Sequence, residues 1–155
     1  MTRPVPSRQA SEEASVLASV YEGLGALFAD ATCLRSTRCC RFRQTGRVPY
    51  VWPMEARRVL KGVARRGGRL PRQGGPGDCP LLLEDGACSV YEDRPFGCRT
   101  FFCRDATLPQ GPRRREVDVL AMRLRGASES LGERELVPLT TALEPWFDRE
   151  GRRRR

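Results

Sequence analysis

Histidine is absent from this chain of 155 residues. Its absence excludes a Ser-His-Asp hydrolase and removes the commonest general base and the usual ligands of zinc hydrolases. Lysine is scarce as well, since Lys61 is the single lysine among 28 basic residues. The glycine- and proline-rich loop at 67–77 lacks the Lys-Ser/Thr pair of a phosphate-binding P-loop. Long apolar runs are also missing, so we expect no membrane-spanning segment and no membrane partner.

The segment before Ser11 contains no apolar stretch of the kind found in secretory signals. We therefore expect a cytoplasmic protein whose thiols stay reduced. An odd, dense set of cysteines in that compartment favours thiolate–metal bonding over disulfides, and the adjacent pair Cys39-Cys40 could face one metal site. The sequence predicts these metal ligands: Cys33, Cys39, Cys40, Cys79, Cys88, Cys98 and Cys103.

The spacing of the cysteines restricts the kind of metal site. No two of them have the C-x2-C spacing of common zinc fingers, and ferredoxin spacings are missing too. The ligands must therefore converge from separate loops of a folded scaffold. Thiolates are soft ligands that suit zinc or an iron–sulfur cluster. Four would hold one tetrahedral zinc or one [4Fe–4S] cluster, so seven leave open a bridged two-zinc site or a cluster with spare thiols.

The block CSVYEDRPFGCR from Cys88 to Arg99, preceded by CPLL at Cys79 and PMEAR at Pro53, resembles a known family. It is similar to the YkgJ-type cysteine-cluster family, described as zinc- or iron-chelating, whose members open with CxxCxxCC. The resemblance implies that six of the seven cysteines match family positions. Ser36 stands where the family has a cysteine, and Cys103 is a candidate replacement for that thiolate.

The family's relatives imply an enzyme alternative. Some are fused to, or resemble, enzymes that methylate lysines of flagellin, which implies a cluster-dependent protein-modifying enzyme. The sequence identifies no catalytic residue for such a reaction. Arg94 and Arg99 are candidate cofactor-binding residues, because arginines beside thiolates would neutralise cluster charge and tune its potential. Alternatively, Arg94-Pro95 forms only a turn and Tyr91 packs in the core.

The predicted fold class is mainly α with a small β-hairpin, in a compact, cysteine-rich, metal-centred single domain. Apolar periodicity predicts helices over 11–31, from Pro53 to Gly67, around 117–124 and over 133–148. A turn signal at Glu84-Asp85-Gly86 predicts the hairpin between Leu81 and Tyr91. We expect a flexible N-terminus at 1–10, a single domain at 11–148 with its core motif at 33–103, and a disordered Arg-rich tail at 149–155.

The net charge of +9 fits a solvated, arginine-rich surface best, and it also fits an acidic partner or nucleic acid. Arg57, Lys61 and Arg65 recur at helical spacing and could bind phosphates or acidic groups. The leading hypothesis is a metal- or cluster-binding protein, with [4Fe–4S] ahead of zinc. The alternatives are a structural-zinc module that binds nucleic acid or an acidic protein partner, the protein-modifying enzyme, and metal storage or delivery.

Overall fold

The computed structural model describes residues 7–33, 36–71, 75–104 and 106–153. The expected flexible N-terminus and Arg-rich tail therefore lie partly outside the described residues. The helices are α1 (Ser7–Leu27), α2 (Phe42–Thr45), α3 (Pro53–Arg65), α4 (Phe96–Arg99), α5 (Arg114–Ser130) and α6 (Leu139–Arg153). The strands are β1 (Tyr50–Val51) and β2 (Val137–Pro138), and 3₁₀ turns span Arg38–Cys40 and Tyr91–Asp93. The expectation of a mainly helical fold with a small two-stranded antiparallel element is confirmed.

The contacts within the chain separate two compact units inside the range expected to form one domain. The first unit comprises residues 1–31 and 108–134, and the second comprises 32–107 and 135–155. Helices α1 and α5 pack together in the first unit. They approach closely at Gly23, where a Cβ atom would lie 3.1 Å from a methyl carbon of Leu120. The apolar stripe predicted for α1 is buried, as its residues Val20 and Leu24 show.

Helix α3 is the central helix of the second unit. Pro53 occupies its first position, as the sequence predicts, since proline lacks only an N–H group that would be unpaired there. Its apolar face, with Val59 and Val63, is buried in the hydrophobic core of this unit. Gly67 and Gly68 follow the helix with positive φ values of 91° and 70°, the conformation expected of a C-terminal glycine cap.

The strand pair forms between segments far apart in the sequence. Tyr50 pairs with Pro138 and Val51 with Val137, in antiparallel register. The hairpin predicted between Leu81 and Tyr91 is smaller than expected: within the described part of that segment it forms one bridge, Leu82–Cys88, around a tight turn. The last helix starts after Pro138 rather than at 133, because the preceding residues are used in β2.

Among the helices that the structure describes, none is both long and apolar enough to cross a bilayer.

Candidate metal centre

A cavity in the second unit brings the predicted ligands together. Its volume is about 280 Å³, and all seven cysteines line it. They come from separate segments of the chain, as the spacing argument requires. Four of them are continuous with the apolar core of the unit: Cys79 belongs to it, and Cys40, Cys88 and Cys98 pack against it.

One backbone hydrogen bond and one ion pair join the segment of Cys40 to the segment of Cys79. The Cys79 N–H donates to the Cys40 carbonyl over 2.8 Å. One residue along each segment, the Arg41 guanidinium lies 3.7 Å from the Asp78 carboxylate. These paired contacts hold two ligand candidates side by side although the sequence separates them widely.

A tight turn carries Cys88 towards the same place. Leu83 N–H donates to Ala87 O over 2.8 Å, and Ser89 N–H donates to Leu81 O over 2.9 Å. Gly86 within this turn has a φ of 82°, and a Cβ atom there would lie 2.5 Å from the Thr37 methyl carbon. Both the positive φ and the close approach require glycine. The turn therefore packs directly against the segment that leads into Cys39.

Cys98 lies on the short helix α4, which Glu55 of α3 holds in place. Glu55 is almost fully buried, with 1% of its surface exposed. One carboxylate oxygen accepts the Phe96 N–H of α4 over 2.6 Å, and the other accepts the Trp52 N–H over 3.1 Å. A single carboxylate thus satisfies free N–H groups at the start of two helices.

The thiols are close enough to affect one another's ionisation. The Sγ atoms of Cys39 and Cys40 are 3.9 Å apart. Their hydrogen bond, and then burial, raises the pKa of Cys39 far above its usual range. The same bond lowers the pKa of Cys40, but its bond with Cys79 and burial outweigh this effect and raise that pKa to about 12. Burial also raises the pKa of Cys88 and Cys98.

Arg94 brings positive charge to this group of thiols. Its guanidinium lines the cavity and opposes the rise in pKa at Cys39, Cys88 and Cys98. The guanidinium lies 3.6 Å from the centre of the Tyr91 ring, and its Nε donates to the Tyr91 carbonyl over 3.0 Å. Tyr91 itself is 40% exposed, so it does not pack in the core as one interpretation of the sequence had it.

Arg99 acts on the backbone of the same block. Its Nε donates to the Arg94 carbonyl over 2.7 Å, and its Nη2 donates to the Glu92 carbonyl. These hydrogen bonds stabilise the backbone on either side of Asp93 and at Arg94. The structure therefore places Arg94 at the thiols and gives Arg99 the role of holding the Arg94 backbone.

Cys33 and Cys103 lie at the outer side of the cavity. Cys33 is exposed, and the contact between Cys103 Sγ and Ser36 Oγ, 3.6 Å apart, is also open to solvent. An antiparallel bridge between Thr32 and Thr107, with hydrogen bonds of 3.0 and 2.9 Å, holds these segments together. Cys103 thus lies beside the position where the family resemblance expects a cysteine.

Arg65 of the basic stripe predicted on α3, together with the neighbouring Arg58, is paired with a carboxylate within the chain. Asp93, 8% exposed, accepts a hydrogen bond from Arg58 Nε over 3.3 Å and forms a second ion pair with Arg65 Nη2. A Cβ atom at Gly62 would lie 2.5 Å from the Asp93 carboxylate. The signal that could have revealed this pairing is the glycine in the middle of a basic helix.

The chain matches no family model, no curated protein and no solved structure. The resemblance to the cysteine-cluster family therefore rests on the motifs between Cys33 and Cys103. The lining of one cavity by all seven cysteines is an observation that does not depend on this resemblance.

The positions of the cysteine sulfurs can be compared with the geometry that a bound metal ion requires. Among the described residues, no group of three or more cysteine, aspartate or glutamate side chains has the arrangement of a metal site. The Cys39–Cys40 separation of 3.9 Å nevertheless fits two thiolates on one ion, because zinc–sulfur bonds of about 2.3 Å in a tetrahedron place sulfurs ~3.8 Å apart. The remaining thiols would have to turn inwards from the walls of the same cavity.

Proposed function

We propose that this protein binds a metal through cysteine thiolates, as an iron–sulfur cluster or as zinc. The observation that carries the proposal is the convergence of all seven cysteines on one cavity of the second unit. Unrelated buried cysteines would be scattered through the core, whereas these line one cavity from both its core side and its outer side. The soft, histidine-free donor set suits these metals and disfavours calcium or magnesium.

Five of the thiols form the proposed ligand group, which we call the inner thiols: Cys39, Cys40, Cys79, Cys88 and Cys98. The pKa shifts of four of them have other inner thiols among their causes, so these side chains share one electrostatic environment. Four thiolates complete a tetrahedral zinc or a [4Fe–4S] cluster. The group therefore supplies enough ligands for either, with one thiol to spare.

Two observations favour different metals. The 3.9 Å separation of the adjacent pair favours a single ion that both thiolates bind, as in a zinc site. In a [4Fe–4S] cluster each iron takes one cysteine, so one thiol of the pair would be spare or would turn away. The cavity volume of about 280 Å³ favours the cluster, because a single ion enclosed by four sulfurs needs much less space.

The protein's own residues prepare this cavity for a charged group. Arg94 supplies a cation beside Cys88 and Cys98, whose pKa values burial raises. Leu81, Val90 and Leu139 line the wall and limit access of water. A bound cluster would supply redox chemistry, and a bound zinc would supply structural cross-linking or Lewis acidity.

The alternative of a basic binding face has less support. Arg58 and Arg65 are paired with Asp93, so their charge is partly neutralised within the chain. The protein-modifying enzyme and the storage alternatives both need the same metal centre, so one experiment bears on all of them.

The test is to purify the protein without oxygen, record its visible spectrum and quantify iron, sulfide and zinc in that sample. Broad absorbance near ~400 nm with similar amounts of iron and sulfide would identify a cluster. A colourless protein with one or two zinc ions would identify a zinc site. Cys40→Ser should lower the metal content in either case. A wild-type protein that binds neither metal after reduction and reconstitution would refute the proposal.

A further inference from the structure

The outer pair of cysteines, Cys33 and Cys103, differs from the inner thiols in its surroundings. Cys79 belongs to the apolar core of the second unit, and Cys40, Cys88 and Cys98 pack against that core. Cys33 is exposed to solvent instead, and Cys103 is half-buried but makes a solvent-exposed contact with Ser36. Both outer residues nevertheless line the same cavity as the inner thiols.

The backbone holds the outer pair on neighbouring segments. Thr32, which precedes Cys33, exchanges two hydrogen bonds with Thr107. Next to Thr107, the Ala106 N–H donates a hydrogen bond to the Cys103 carbonyl over 3.0 Å. The outer thiols therefore lie at defined places on the rim of the cavity.

This arrangement has a consequence for how a metal reaches the inner thiols. An ion in a cell arrives bound to a carrier thiol or chelator, and it changes ligands one at a time. An exposed thiolate can bind the ion before the carrier has released it, whereas a thiol packed against the core cannot be reached by a bulky carrier. Two thiolates at the rim would hold the ion with open positions left for water or the next ligand.

Resting on the proposed function in its zinc form, we infer that Cys33 and Cys103 form an uptake site that receives a zinc ion from a thiol carrier or chelator and passes it to the inner thiols. In each exchange one sulfur–metal bond forms as one bond to the previous ligand breaks. The thiol proton passes to water or to the departing ligand. No electron is transferred, so the step needs no oxidant or reductant.

The first experiment compares rates with equilibria. Metal-free protein is mixed with a zinc–chelator complex whose colour reports zinc loss, for wild type and for Cys33→Ser/Cys103→Ser. The proposal expects the double variant to take up zinc more slowly by roughly tenfold or more, because the tethered relay is lost. Its final zinc content and its affinity should equal those of wild type.

Two further variants serve as controls. Ser36→Ala keeps both outer thiols and should load as fast as wild type. Ser36→Cys, placed in Cys103→Ser, returns a thiol to the point that Cys103 contacts and should restore much of the uptake rate. Equal uptake rates in wild type and the double variant would overturn the inference. So would a fall in zinc content, which would make the outer pair permanent ligands while leaving the proposed function intact.

A second experiment uses the unaltered protein. The metal-loaded chain is treated with a maleimide, and the modified cysteines are mapped by mass spectrometry. Cys33 and Cys103 should react while the metal stays bound, and the inner thiols should be protected. Protection of all seven cysteines would overturn the inference. A wild-type protein that holds no metal would instead refute the proposed function.

Discussion

Replacing Glu55 with glutamine tests the contact that joins the helix carrying Cys98 to the rest of the second unit. The substitution keeps the size of the side chain and removes its charge. One amide oxygen can still accept one of the two N–H groups that the carboxylate accepts, from Trp52 and Phe96. The amide NH₂ would then face the other backbone N–H, and that donor would lose its partner in a site that is 1% exposed.

The magnitude follows from the number of bonds. A hydrogen bond to a charged acceptor contributes about 1.5–3 kcal/mol, and a buried donor without a partner costs about 1–3 kcal/mol. These effects overlap, because both count the same lost bond. We therefore expect Glu55→Gln to lower the free energy of unfolding by about 2–4 kcal/mol.

Urea unfolding at pH 7, followed by far-ultraviolet circular dichroism on reduced, metal-free protein, measures this loss. Glu84→Gln is the matched control, since Glu84 is exposed in a turn, and it should change stability by less than about 0.5 kcal/mol. Because α4 carries Cys98, Glu55→Gln should also weaken metal binding by roughly 10- to 100-fold. A Glu55→Gln protein as stable as the control would show that the carboxylate does not hold α4.

Three further predictions concern residues of the second unit, and one of them has its control substitution in the first unit. Gly62→Ala should lower the free energy of unfolding by about 1–3 kcal/mol, because the new methyl group meets the Asp93 carboxylate. The control is Gly126→Ala in α5, where a Cβ atom meets nothing within 4 Å. It should raise the free energy of unfolding by up to about 1 kcal/mol in the same assay. The folded metal-free state raises the pKa of Cys40 from 9.0 to about 12, so this thiol's contribution to stability is complete below pH 9 and is lost as the pH rises towards 12. Urea midpoints that stay constant from pH 8 to about 11 would contradict this. Arg94→Gln should weaken zinc binding at pH 7 by roughly tenfold or more in a chelator competition, because the positive charge of Arg94 favours the thiolate forms of the cysteines. Arg94→Lys keeps a positive charge and should lose less affinity. Equal zinc affinities of wild type and Arg94→Gln would refute the role given to Arg94.

The helices could be predicted because their signals are local. The apolar period of α1 and α3, the proline at the start of α3 and the glycines after it lie within a few residues of what they determine. The strand pair could not be predicted, because its register joins Tyr50 to Pro138 and neither short segment has a periodicity of its own. The separation of two units likewise depends on which helices pack together.

The sequence by itself determined which soft metal ligands this protein can offer. It has seven cysteines and no histidine, and the spacing of the cysteines means that any site they share must be built by a folded scaffold. Only the tertiary structure decided which thiols are inner and which outer, that Arg94 is the arginine beside the thiols, and that Asp93 pairs with Arg58 and Arg65 of α3. The physical reason is that burial, charge pairing and shared cavities arise from contacts between distant segments, which residue type and local spacing do not specify.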